Sequence, residues 1–80
     1  MKESLLTPIE QYIVDFVTKL RMDNGLNQAD IGFVIGVGQS FVANIENPNK
    51  RAKYNVNHIN KLADHFGLSP KDFMPEKALR

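Results

Sequence analysis

The chain has 80 residues, of which 42% are hydrophobic and 24% charged, and its formal net charge is +1. These values argue against an intrinsically disordered protein and allow one small domain. The absence of cysteine excludes disulfides and thiolate metal sites, and no apolar run approaches the roughly 20 residues that span a bilayer, so we expect a cytoplasmic protein without a membrane partner.

A capping motif marks the start of the first predicted helix. Thr7 can cap the helix, Pro8 suits its first position, and Glu10 can complete a capping box. The apolar residues that follow have the spacing of one buried helical face: Ile9, Tyr12, Ile13, Phe16, Val17 and Leu20. The pattern predicts a helix over residues 8–23, preceded by an N-terminal arm over residues 1–6.

Two short helices are predicted next. Asn27 is a favourable N-cap for a helix over residues 28–35, and a third helix is predicted over residues 39–47 because Pro48 cannot continue it. The segment between the two helices, Gly36 to Gly38, is only three residues long. Short helices joined by a glycine-containing turn of this length predict a helix-turn-helix.

The last part of the chain predicts two more helices. Asn55 can cap a helix over residues 56–66, and a short fifth helix is expected to start at Pro70 and to end before Pro75. The apolar stripe of the fourth helix is predicted to comprise Val56, Ile59, Leu62, Ala63 and Phe66. We therefore expect an all-α domain of five helices over residues 7–74, followed by a tail over residues 75–80.

The third predicted helix has an exposed face without charged residues. Phe41, Val42 and Ile45 are expected to pack against the second helix. The opposite face carries Gln39, Ser40, Ala43, Asn44 and Asn47. Ordinary exposed helix faces are rich in Lys and Glu, whereas amides match the donor and acceptor of adenine in the major groove. This face is therefore a candidate for contact with base edges.

A basic cluster follows the third helix. Lys50, Arg51 and Lys53 lie within four positions of a polar segment that we expect to be an exposed loop. By composition alone such a cluster is typical of a solvated loop. Next to a helix that contacts bases, however, it would be suited to bind DNA phosphates.

Over roughly residues 12–74 the chain resembles the Cro/CI repressor (xenobiotic-response-element) helix-turn-helix family. The resemblance rests on Leu26 with Gln28, on Gly36-Val37, on Ile45-Glu46, and on the segment from Ile59 to Pro70, which occur in the order and spacing of the family. It implies a lambda-repressor-like fold of five helices, in which the third helix lies in the major groove of double-stranded DNA.

The resemblance also implies roles for individual residues. Gln28 would contact a phosphate and brace the third helix, and Arg21 would form a salt bridge with Glu46. The residues at base-facing positions are Gln39, Ser40, Ala43 and Asn44. Those at phosphate-contacting positions in the following loop are Asn47, Lys50, Arg51 and Lys53.

Three positions depart from the family pattern. Gly38 replaces the Ser or Thr that usually caps the third helix, and Gly32 stands in place of Ala, which would allow a close approach of the third helix. Pro48 stands in place of Gly. The third helix should therefore be less firmly capped, and the chain should leave it by a path other than the usual left-handed turn.

The expected function is that of a sequence-specific transcriptional regulator, a repressor, without cofactor, metal or small-molecule ligand. We expect a homodimer, with its contact surface in residues 69–80 through Phe73, Met74 and Leu79. An enzyme is disfavoured because no catalytic constellation is present, and because His58 and His65 would lie about 10.5 Å apart along a helix, too far to share a metal. A protein-interaction module, such as an antitoxin-like adaptor on the same scaffold, remains the alternative.

Overall fold

The computed structural model describes residues 5–80, and within this range it contains helices and no strand. The α-helices are α1 (Pro8–Asp23), α2 (Gln28–Ile35), α3 (Gln39–Glu46) and α4 (Val56–Phe66), and a 3-10 turn follows at Pro70–Phe73. The predicted all-α class is confirmed. Of the predicted N-terminal arm, residues 1–4 lie outside the described residues, and Leu6 is buried in the core.

Side-chain caps fix the starts of three of these helices. Thr7 caps α1, Asn27 caps α2 and Asn55 caps α4, and in each case a capping box is complete. The start of α3 differs, since Gly38 makes no side-chain hydrogen bond there. Caps are local interactions, which is why the sequence predicted the helix starts correctly.

The core lies where the helices converge. α2 packs against α3 and α4, while α1 packs against α3 and the 3-10 turn. The largest fully buried side chains come from every one of these elements and are Val17, Ile31, Val42, Leu62 and Phe73. None of the helices between residues 5 and 80 is both long and apolar enough to cross a membrane.

Several predicted core residues lie at the surface instead. On α1, Ile9 and Tyr12 are exposed while Val14, which was not predicted, is buried. On α4, Val56 is 77% exposed because it stands at the first position of the helix, beyond the reach of the other elements. Phe41 is also partly exposed, at 39%, and its ring centroid lies 5.9 Å from that of His58 on α4 in a T-shaped arrangement.

The predicted fifth helix is a single 3-10 turn, so the expectation of five α-helices is wrong for residues 5–80. Ser69 caps this turn, and Pro75 follows it too closely for a further α-helical turn to form. Phe73 is fully buried and its ring lies 4.8 Å from that of Phe16. The predicted dimer contact through Phe73 is therefore also wrong, because this side chain already belongs to the core of its own chain.

Gly32 allows the turn between α2 and α3 to lie directly on α2. A Cβ atom at this position would stand 2.6 Å from the carbonyl oxygen of Val37 and 3.3 Å from the backbone of Gly38. The Gly32 carbonyl in turn accepts a hydrogen bond from the Val37 amide at 2.8 Å. The close approach that the sequence suggested thus involves the turn itself, which sets the position of α3 relative to α2.

Candidate nucleic-acid interface

A bidentate ion pair joins α1 to the end of α3. The Nε and Nη2 atoms of Arg21 each donate to a different carboxylate oxygen of Glu46 at 2.9 Å. The two side chains are only 17% and 11% exposed. Arg21 Nη1 also donates to the Leu26 carbonyl at 3.1 Å, which ties the segment before α2 to the same guanidinium.

Gln28, the first residue of α2, extends this ion pair to the start of α3. Its Nε2 donates to Glu46 Oε1 at 3.0 Å, and its Oε1 accepts from Gln39 Nε2 at 3.0 Å. Arg21, Glu46, Gln28 and Gln39 therefore form one continuous hydrogen-bonded network, which we call the brace. It connects both ends of α3 to the rest of the molecule.

The brace determines how the Gln39 amide is oriented. Because a carboxylate can only accept, Gln28 must turn its NH₂ group towards Glu46 and its oxygen towards Gln39. Gln39 must then commit one N–H to Gln28, which leaves its oxygen and its second N–H available. Thus the charge on Glu46 sets, through two amides, which groups Gln39 presents at the surface.

The remaining residues of the predicted base-contacting set lie along the same side of α3. We refer to Gln39, Ser40, Ala43 and Asn44 together as the polar face of α3. Ser40 and Asn44 are exposed, Ala43 is half-buried, and within residues 5–80 the side chains of Ser40 and Asn44 make no hydrogen bond. The polar face is therefore uncharged, and most of its hydrogen-bonding groups are open to a partner.

The segment between α3 and α4, residues 47–55, carries the basic cluster, and we call it the basic loop. Asn47 begins it in an extended conformation, as expected for a residue that precedes proline, so the chain leaves α3 by a path other than a left-handed turn. The Asn47 side chain accepts from the Asn49 amide at 2.9 Å, which closes a local turn. Lys50 and Arg51 are exposed, and within residues 5–80 neither forms an ion pair.

Lys53 differs from the other two basic residues of the loop. Its Nζ lies 2.8 Å from Oε2 of Glu10, at the start of α1. The hydrogen bond from Lys53, together with the one from the Thr7 backbone, lowers the pKa of the Glu10 carboxyl. Sequence reasoning assigned Glu10 only to the capping box and missed this second role, since nothing local relates residue 10 to residue 53.

Within the basic loop Tyr54 is buried, and among residues 5–80 its hydroxyl has no hydrogen-bond partner. Burial, followed by the nearby negative charge of Glu46, raises the pKa of this hydroxyl above its usual range. The ring centroids of Tyr54 and His58 lie 6.2 Å apart in a T-shaped arrangement, and His58 forms a second T-shaped pair with Phe41 of α3. His58 thus stands between α3 and the basic loop.

The brace borders an open depression of about 420 Å³, lined by Arg21, Asn27, Gln28, Ala29 and Gln39. It is shallow and has no nucleophile paired with a base. Among residues 5–80 there is also no cluster of three or more His, Asp or Glu side chains that could hold a metal. The arrangement can present hydrogen-bonding amides next to exposed cations. This combination is suited to a nucleic acid, because amides can bind the edges of bases and cations can bind phosphates.

Comparison of this chain with protein-family models, with curated proteins and with solved structures finds no match.

Proposed function

We propose that this protein is a helix-turn-helix regulator of the Cro/CI type, with a lambda-repressor-like arrangement of helices, that represses transcription by binding a specific DNA sequence. In this proposal α2, the turn at Gly36–Gly38 and α3 form the helix-turn-helix, and α3 enters the major groove. The 3-10 turn takes the place of the fifth helix.

The observation that carries the proposal is the braced, uncharged polar face of α3. A helix face in contact only with water gains nothing from having an amide such as that of Gln39 held in one orientation, and it usually carries Lys and Glu. Here a partly buried ion pair orients Gln39 through the amide of Gln28, which hydrogen-bonds to both Glu46 and Gln39. The oriented Gln39 amide, together with the amide of Asn44, a hydroxyl and a methyl group, presents the kinds of group that discriminate base pairs in the major groove.

Gln39 and Asn44 are assigned to direct contact with bases. With one N–H committed to Gln28, Gln39 retains an acceptor and a donor, which match the N6 amino group and N7 of adenine. The Asn44 amide, on the same face, is unpaired within residues 5–80, Ser40 can donate or accept, and Ala43 can touch a thymine methyl group. These four residues would provide the sequence preference.

Phosphate contacts would provide most of the affinity. Lys50 and Arg51 are exposed and unpaired within residues 5–80, so their charges are available to the DNA backbone. Gln28 and Asn47 flank the polar face and can donate from their amides. Lys53 can contribute only after it leaves Glu10, which makes it a weaker contact than the sequence suggested.

A homodimer follows from the amount of DNA that one α3 can contact. One short helix contacts too few base pairs for specificity in a genome, and two-fold symmetry with half-sites about 10 base pairs apart solves this problem. The alternative, a protein-interaction module on the same scaffold, is favoured by one observation, the net charge of only +1. Most DNA-binding domains are more basic than this.

A salt titration separates the two functions. We would measure fluorescence anisotropy of a labelled random duplex at low and moderate salt, and then select bound sequences from a random duplex library. Regulation of transcription predicts salt-dependent binding to random DNA and a two-fold symmetric motif after selection. Failure to bind any duplex at low salt would contradict the proposal and leave the protein-interaction function.

A further inference from the structure

Phe41, the third residue of α3, is an aromatic side chain that the packing of the helix leaves partly at the surface. It is 39% exposed, whereas the other apolar residues of α3 outside the polar face, Val42 and Ile45, are at most 2% exposed. A phenylalanine ring in contact with water gains free energy when another apolar group covers it. Phe41 therefore gives α3 an apolar group at the surface in addition to the Ala43 methyl of the polar face.

Two aromatic contacts hold this ring in place. The ring centroids of Phe41 and His58 lie 5.9 Å apart, with an angle of 78° between the ring planes. His58 forms a second pair of this kind with the buried Tyr54, at 6.2 Å. The His58 ring is itself fixed, because its Nδ1 accepts a hydrogen bond from the Asn55 amide at 3.1 Å. Phe41 is thus oriented by a contact from α4, as Gln39 is oriented by the brace.

The Phe41 ring lies between the polar face of α3 and the basic loop. Residues three apart on a helix are neighbours at its surface, and Phe41 precedes Asn44 by three positions. Through His58 the ring is also linked to Tyr54, which belongs to the basic loop. The proposed base contacts therefore lie on one side of this ring, and the proposed phosphate contacts on the other.

The edge of a thymine in the major groove carries one apolar group, its C5 methyl. In a T·A pair this methyl lies nearest the backbone of its own strand, and the thymine O4 and the adenine N6 and N7 follow across the groove. A side chain placed between phosphate contacts and hydrogen bonds to bases therefore meets the methyl group. Phenylalanine is among the side chains that make this apolar contact.

We infer that Phe41 contacts a thymine C5 methyl group and so determines part of the sequence preference. The inference rests on the proposed function, because it requires α3 to lie in the major groove, where the first residues of such a helix contact base edges. It adds to the polar face a residue that recognises thymine by its methyl group alone. Hydrogen bonds from the amides do not detect this methyl, so the two kinds of contact can be separated.

Replacement of thymine by deoxyuridine tests the inference, because it removes the C5 methyl and leaves every hydrogen-bonding group of the base pair unchanged. Each thymine of the selected duplex would be replaced in turn, and fluorescence anisotropy would give the dissociation constant of the full chain. For wild type, loss of the methyl that Phe41 covers is expected to raise the dissociation constant about fourfold. Phe41→Ala should bind the thymine and deoxyuridine duplexes of that position equally well.

Two control variants show whether the effect belongs to Phe41. Phe33→Ala makes the same substitution at a ring that is 88% exposed on α2, and it should show the same loss as wild type. Ala43→Gly identifies any thymine methyl that Ala43 contacts, which should be at a different position. Circular dichroism checks that each variant is folded.

Nuclear Overhauser effects in the wild-type complex provide a second measurement that needs no variant. One is expected between the Phe41 ring protons and the methyl protons of the thymine that the deoxyuridine series identifies. Its absence would overturn the inference even if Phe41→Ala did not fold.

The outcomes also distinguish this inference from the proposed function. A selected sequence without thymine, or wild type that tolerates deoxyuridine at every position, would overturn the inference and leave the proposed function intact. A loss that wild type and Phe41→Ala share equally at every sensitive thymine would do the same. Failure to bind any duplex would overturn the proposed function, and this inference with it.

Discussion

The polar face of α3 and the basic loop are neighbours along the chain but are built in opposite ways. The polar face is uncharged and is held in place by the brace, with distances of 2.9–3.0 Å from Arg21 through to Gln39. The basic loop carries three cations, of which two are exposed and unpaired within residues 5–80 and the third contacts Glu10. One region has defined geometry, and the other has charge.

This contrast matches two different physical requirements of DNA binding. Hydrogen bonds to base edges depend on distance and angle, so the groups that make them benefit from being oriented beforehand. Attraction to phosphates falls off slowly with distance and tolerates movement, so long flexible cations suffice. If the proposed function is correct, changes in the two regions should affect different measured quantities.

The largest effect is expected from breaking the brace. Arg21→Ala and Glu46→Ala should each lower the free energy of unfolding by about 1–3 kcal/mol, since each leaves a partly buried charge without its partner. The double variant should lose less than the sum of the two. Thermal melts of the four proteins measure this coupling. Lys19 and Asp23, an exposed pair at 2.7 Å on α1, provide the control cycle, in which coupling should be near zero.

A second test shifts the position of the polar face relative to α2 without changing any of its residues. Gly32→Ala places a methyl group against the Val37 carbonyl, and we expect a loss of about 1–3 kcal/mol in stability that outweighs the better helix propensity of alanine. Gly38→Ser is the matched control, because nothing lies within 4 Å of a Cβ atom there and serine can cap α3. Chemical denaturation measures the free energy of unfolding of both variants. Equal stability of Gly32→Ala and wild type would mean that the turn can shift freely.

Removal of one amide from the polar face should affect sequence preference. Asn44→Ala is expected to cost about 1–3 kcal/mol on the selected sequence and to relax the preference at one base pair, while binding to random duplex stays nearly constant. Anisotropy titrations on both duplexes measure the difference. Asn60→Ala, an exposed amide on α4, is the control. An equal loss on specific and random DNA would show that Asn44 does not contact bases.

Removal of charge from the basic loop should affect the salt dependence instead. Arg51→Ala is expected to weaken all duplexes about equally and to lower the slope of log K against log salt by about 1 in magnitude, because one fewer counterion is released. Glu10→Gln should instead strengthen binding to all duplexes and increase the magnitude of this slope. A neutral amide keeps the cap of α1 but frees Lys53 to bind a phosphate.

Two controls accompany these charge variants. Lys71→Ala, which removes an exposed lysine of the 3-10 turn, should change the slope less than Arg51→Ala does. The effect of Glu10→Gln should disappear when Lys53 is also replaced by alanine. A change of sequence preference in Arg51→Ala would contradict the division between the two regions.

The smallest expected effect concerns His58, which contacts Phe41 of α3 and Tyr54 of the basic loop. Its Nδ1 accepts a hydrogen bond from the Asn55 amide, and burial, followed by the charge of Lys61, lowers its pKa. As pH falls below about 6.5, the unfolded chain takes up a proton that the folded chain resists, so stability should fall towards the lower pKa of the folded state. Melts at pH 7.5 and 5.5 should show a smaller difference for His58→Gln, which keeps an acceptor but does not titrate. An unchanged pH dependence would exclude His58 as its source.

The parts of the fold that depend on neighbours in sequence were predictable. Thr7 with Glu10, Asn27 with Asp30, and Asn55 with His58 each form a cap within three residues, and these caps give the correct helix starts. The left-handed Gly36 and Gly67 end α2 and α4 for an equally local reason. Arg21 and Glu46 are 25 residues apart, and their contact was expected only from the resemblance to a known family.

The parts that depend on how elements pack were not predictable from one sequence. Apolar spacing shows that a helix has a buried side but not how far along the helix its neighbours extend, and therefore Ile9, Tyr12 and Val56 were misassigned. Two phenylalanines show the same difficulty. Phe73 was expected at a surface and is fully buried, whereas Phe33 is exposed although nothing in the sequence distinguished it.

The isolation of Ser40 and Asn44 from the core has a consequence for how this protein can evolve. Their side chains make no hydrogen bond within residues 5–80, so replacing them should change stability by no more than about 0.5 kcal/mol. New sequence preferences could therefore accumulate at these positions without any compensating change in the scaffold. Gln39 is not free in this way, because a substitution there would leave Gln28 without its partner, and it should be the slowest of the polar-face residues to diverge.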